Sequence, residues 1–180
     1  MNKISELREK YRPKQGIKYL LIAESPPNCE GTDFRFFYNP DNEKYDFMFR
    51  NVMRVIFPEF DTEYRKGMKH QYLEKFCQAG FYMIDATDEP VNRLKGKQKL
   101  EAIRKDWEGK LAEIESIISK ETPIFLITKN VFTVFYQRLR ENGYTVRHNE
   151  PIPFPGQGHQ VRFREVFKRY LSDCGYPADS

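Results

Sequence analysis

The sequence has no long apolar run. Its longest uncharged hydrophobic stretches, "YLLIA" and "PIFLIT", fall far short of the roughly 20 residues that cross a bilayer, so no membrane partner is expected. "MNKISELREKYRPKQG" is charged, has no apolar segment and does not read as a secretion signal, so a cytoplasmic location is expected. Cysteine is scarce. Cys29, Cys77 and Cys174 are widely spaced and odd in number, which argues against a disulfide framework or a four-cysteine zinc site, so free thiols and no metal are expected. No phosphate-cradling glycine loop of the Walker type occurs and no Gly-x-Gly-x-x-Gly follows any strand, so no cofactor is expected. Internal repeats, low-complexity linkers and composition shifts are absent too, which makes residues 1–180 one domain.

What is present is a well-supplied core and an uneven charge. The chain is 39% hydrophobic and 15% aromatic, and its net charge is +4. Lys129 to Tyr170 holds eight Lys or Arg against three Glu, and Arg93 to Lys110 holds seven against three acids, leaving the rest net acidic. A basic surface opposite an acidic one is the footprint of a polyanion binder, since neutralising phosphates releases counterions. The same runs also suit solvated helix faces.

Apolar spacing gives an alternation of strands and helices. "IKYLLIA" is a near-continuous apolar run of the kind buried on both faces of a parallel sheet, and "FYMIDA", "PIFLIT" and a shorter "YTVRH" repeat the pattern. Helical stripes run through Ile4 to Tyr11, Asp46 to Phe57 before Pro58, Tyr72 to Ala79 before Gly80, Lys97 to Lys120, Asn130 to Glu141 and Val161 to Leu171. The expected fold is α/β, in three layers (α/β/α) around a central, mostly parallel sheet of about four strands.

In such sheets ligands bind beyond the carboxyl ends of the strands. Three loops arrive there: "ESPPNCEGTDFRFFYNP", "DATDEPVNRLKG" and "EPIPFPGQGHQVRF". They bring together carboxylates (Glu24, Asp85, Asp88, Glu89), Asn92, Arg93, His159, Arg162 and several aromatic rings, the makings of a pocket with stacking faces.

The order of these segments resembles the uracil-DNA glycosylase superfamily, base-excision enzymes that flip uracil out of DNA and hydrolyse its glycosidic bond. "IAESPP" matches that family's strand ending in an acidic-proline motif, and "EG…RFFYNP" supplies the glycine and stacking aromatic that follow it. "MIDATDEPVNRL" is similar to the base-reading strand and loop, "IFLITKNVFTVFYQRL" to the later strand and helix, and "PIPFPGQGHQVRF" to the DNA-gripping loop before the last helix. The resemblance implies catalytic roles for Glu24 and His159, base binding by Phe36, Phe37 and Asp85, and DNA contacts from Arg93, Gly156, Gly158, Arg162 and Arg164, in a monomer acting on DNA. Two positions depart from the family. Phe154 stands before Pro155 where a His usually opens the final loop, and Asp85 stands where an Asn usually reads uracil. A carboxylate there favours a base edge that donates hydrogens.

The chemistry agrees with these residue types. Cleavage through an oxocarbenium-like state needs a carboxylate near the sugar and donors where the leaving base turns anionic. Glu24 suits the first role; amides after Pro27 or the ring of His159 suit the second. Stacking on Phe36 or Phe37, at roughly 1 to 3 kcal/mol, offsets the few kcal/mol of extruding a base. Two other classes stay open: a non-catalytic nucleic-acid or protein-binding member of the same fold, and a small-molecule hydrolase on a flavodoxin-like sheet.

Overall fold

The computed structural model describes residues 3–28, 34–44, 46–156 and 158–177. The element order is α1 (Lys3–Lys10), β1 (Tyr19–Ala23), α2 (Phe47–Ile56), α3 (Phe60–Glu63), α4 (Lys69–Gln78), β2 (Phe81–Asp85), α5 (Gly96–Lys105), α6 (Trp107–Ile117), β3 (Ile124–Leu126), α7 (Lys129–Glu141) and α8 (Gln160–Asp173). The three strands pair in parallel in the order β2-β1-β3, with Leu21 opposite Met83 on one side and Phe125 on the other. Their apolar runs were legible because a parallel strand is covered on both faces, and every residue of β2 and β3 is buried. The chain turns into β2 at Gly80, whose φ of +87° suits glycine and where an added Cβ would meet the Lys18 side chain at 2.7 Å.

Two expectations of element count differ from the structure. "YTVRH" forms no strand among the described residues. It runs along the outer edge of β3, where the Thr145 carbonyl accepts from Ile124 N–H (3.0 Å) and the Nε2 of buried His148 accepts from Leu126 N–H (3.0 Å). A ring nitrogen thus replaces a backbone carbonyl and interrupts the ladder. Ile152, between two prolines, then makes an isolated parallel bridge to Ile127. At the opposite edge the Tyr38 hydroxyl accepts from Met83 N–H (2.7 Å) and donates to the Met83 carbonyl (3.2 Å).

The second difference is in the long stripe of residues 97–120, which breaks at Asp106 into α5 and α6. The Asp106 carboxylate accepts from the Thr87 hydroxyl (2.5 Å) and from Asp88 N–H (3.2 Å), tying the helix joint to the loop after β2. Around the sheet, α4 packs on β2, α7 packs on β3 and α5, and α2 packs on α8. Buried apolar side chains from all of these elements, joined by loop residues such as Phe37, Tyr38 and Ile152, form one connected core.

Candidate active site

A cavity of about 700 Å³ opens beyond the carboxyl ends of the strands. β1 delivers Ala23 and Glu24 to it, β2 delivers Met83 and Asp85, and the turn into α7 delivers Thr128. The apolar strand ends where the carboxylate begins because Glu24 reaches polar partners there. Its Oε2 accepts from Lys99 Nζ on α5 (2.9 Å), and its Oε1 accepts from Asn130 Nδ2 on α7 (2.8 Å) and the Thr128 hydroxyl (3.4 Å). Thr128 is the only described non-glycine residue with positive φ, at 82°. A β-branched residue in that region is strained by about 1 to 3 kcal/mol. Its N–H donates to Ile152 (2.7 Å) and its hydroxyl accepts from Val131 N–H (3.4 Å), which hold it there and aim α7's first turn at Glu24.

Asp85 is buried, and its Oδ2 accepts from the Arg8 guanidinium of α1 at 2.5 Å. Burial pushes its carboxyl up from the ordinary range, and Arg8 and Lys110 pull it back only in part. Lys110, also buried, binds Asp88 (2.6 Å) and Glu113 (2.8 Å). Asp88 therefore anchors the loop after β2 and does not line the cavity.

Phe36 and Phe37 line the aromatic wall, both largely buried. Phe36 stacks against Phe34 with centroids 6.3 Å apart, and Phe37 meets Phe76 edge to face at 5.1 Å. The segment is fixed by Lys69, which is fully buried and whose ammonium donates to the carbonyls of Phe36 (3.2 Å) and Asn42 (2.9 Å) and to the Asp46 carboxylate. Burial pushes Asp46 up and Lys69 down, each offset in part by the other.

The structure thus brings Glu24, Phe36, Phe37, Asp85 and Gly156 to one cavity, joined by Phe154, which is half exposed at 51%. His159, Gly158, Arg93, Arg162 and Arg164 do not line it. His159 is exposed at the start of α8. Arg93 and Arg162 are exposed as well, whereas Arg164 is half-buried and donates to Asn51 (2.6 Å). The motif's Glu30 and Gly31, together with Cys29 and Gln157, lie outside the described residues; Cys77 and Cys174 are free. Sequence reasoning missed Lys99, Thr128 and Asn130. The one available signal was that "TKN" follows directly on the third apolar run.

Among the described residues no group of three or more His, Cys, Asp or Glu is placed to hold a metal ion, and no helix is long and apolar enough to cross a membrane. No family model matches this chain, and no curated protein or solved structure matches it either, so the chemistry of the site rests on its own residues.

Proposed function

We propose that the chain is a base-excision glycosylase-like enzyme, a divergent relative of the uracil-DNA glycosylase superfamily, which hydrolyses the N-glycosidic bond of a modified base flipped out of DNA. The observation that carries this reading is the placement of Glu24: a carboxylate held from two helices in the wall of a cavity that Phe36 and Phe37 also line. The cavity's size lies within the roughly 300–1,000 Å³ of small-ligand sites. In this reading the flipped base stacks on an aromatic ring, and Glu24 orients water or stabilises positive charge at the sugar carbon. Asp85 Oδ1 accepts from a donating base edge, and Asn92, also in the lining, donates to the departing base. Arg93 and Arg162, both exposed, take phosphates. The enzyme works as a cytoplasmic monomer, and the fuller architecture of helices layered on both sides of about four strands belongs to the same proposal.

A panel of duplex and single-stranded oligonucleotides, each carrying one modified base and scored for abasic-site formation, tests it. Release of one base class supports the reading, and an inactive wild type on every base removes it. One observation favours a second reading. Both Glu24 oxygens already join β1 to α5 and α7, which is what a purely binding member of the fold needs; DNA affinity without base release would select it.

A further inference from the structure

The cavity holds a primary amine as well as a carboxylate. Lys99 Nζ lies 2.9 Å from Glu24 Oε2, its side chain is 20% exposed, and it lines the same space as Phe36 and Asp85. Lysine is the side chain that forms imines with carbonyl carbons, provided that it first loses a proton. A carboxylate in direct contact provides the acceptor. The product of base release is an abasic deoxyribose, whose ring-opened form presents an aldehyde at C1′ where the glycosidic bond had been.

We infer that Lys99 is a catalytic residue of a second activity at the same site, an abasic-site lyase that cuts the DNA strand through an imine on Lys99. This inference rests on the proposed function for the identity of the substrate. Base release consumes one water. The Lys99 amine, its proton passed to Glu24, then attacks C1′ to give a carbinolamine; Glu24 returns that proton to the hydroxyl, which leaves as water, and a C1′=N imine remains. The imine acidifies C2′. Glu24 takes the C2′ proton, a C2′=C3′ double bond forms, and the C3′–O bond breaks with its electron pair leaving on the 3′ phosphate. A final water hydrolyses the imine, freeing Lys99 and an unsaturated aldehyde; no oxidant or reductant enters. Neither Thr128 nor Asn130 offers an amine, so their bonds to Glu24 hold the proton acceptor in place while Lys99 moves.

The test uses the full chain and an oligonucleotide with a preformed abasic site, incubated with sodium borohydride, which reduces an imine to a stable amine. The expected result is a covalent protein–DNA adduct that peptide mass spectrometry maps to Lys99. Lys99→Arg keeps a cation opposite Glu24 but removes the nucleophile, and should lower adduct formation at least about 50-fold. Lys66→Met, at an exposed lysine outside both basic runs, should leave it unchanged. No adduct, or one on another lysine that survives in Lys99→Arg, overturns the inference. Because the abasic site is supplied, the two readings fail separately: base release without adduct overturns the lyase step alone, and adduct without base release overturns the glycosylase reading alone.

Discussion

Arg8→Met isolates the cost of leaving a carboxylate alone beside the cavity. Arg8 and Asp85 are in contact at 2.5 Å with side chains only 9% and 8% exposed, so water cannot replace the guanidinium without opening the core. Removing one partner of a buried pair costs about 3–5 kcal/mol. The contact of Arg8 with Glu113 adds less, because it is longer, at 3.9 Å, and Glu113 is 30% exposed. For a chain of this size each kcal/mol moves Tm by about 2–4 °C, so the loss is about 6–20 °C. Adding Asp85→Asn should restore most of it, since a neutral amide leaves no charge to strand. The pH dependence has a definite sign. Burial already raises the folded Asp85 pKa above its unfolded value, so the folded state binds that proton more tightly and the group's penalty grows as pH rises through the raised range. Without Arg8 the pKa climbs further. The deficit relative to wild type should therefore be largest near neutrality and shrink on acidification toward about pH 5. Urea denaturation of wild type, Arg8→Met and the double variant at both pH values measures it. A deficit below about 1 kcal/mol, or one that grows on acidification, would refute the reasoning, because either means that Asp85 is solvated or protonated in the native protein.

Glu24→Gln should slow base release by about 10² to 10³ while lowering stability by no more than about 2 kcal/mol, between the values for exposed and buried pairs; full activity in a folded variant rules out the catalytic role. Tyr38→Phe strips both bonds from the buried Met83 backbone and should cost about 1–3 kcal/mol in equilibrium unfolding with no selective kinetic effect. Burial lowers the His148 pKa, so its contribution is fully present above the unfolded value of about 6.5 and is lost as pH falls below it. His148→Gln, which keeps an acceptor for Leu126, should flatten that acid limb, and an unchanged pH profile counts against it. Arg162→Ala should reduce the log–log salt slope of DNA affinity by about one. Arg164→Ala, whose guanidinium is held by Asn51, should instead lower stability with a smaller change in slope.

The strands and the two carboxylates that end them were legible in the sequence, because a strand covered on both faces leaves an uninterrupted apolar run and Glu24 and Asp85 interrupt it. Their partners were not. Arg8 is 77 residues from Asp85 and Asn130 is 106 from Glu24, and no local pattern encodes such pairings. Lys99 is one of seven basic residues between Arg93 and Lys110, a run that reads as solvated helix until the fold turns two of its members, Lys99 and Lys110, inward. The break at Asp106 escaped for a related reason: Leu100, Ile103, Trp107 and Leu111 keep helical spacing across it, while its cause is the distant hydroxyl of Thr87. "YTVRH" has strand composition, but the edge of β3 takes a ring nitrogen at the point where a strand would offer a carbonyl.

The two side chains that finish the sheet also bear on how the protein behaves in company. A three-stranded parallel sheet has two edges, and an outer strand with free N–H and C=O groups is a template on which another chain can add a strand. Here each outer strand meets a group that cannot be extended: a phenol at Met83, in the middle of β2, and an imidazole at Leu126, the last residue of β3. Neither partner passes the hydrogen-bond pattern onward, so the ladder stops at both sides. Acid protonates the imidazole and removes its acceptor nitrogen, which frees the Leu126 N–H between the contacts that Thr145 and Ile152 make along β3. Self-association seeded along β3 is the failure that mild acid should produce first, and Tyr38 holds the β2 side closed while it happens.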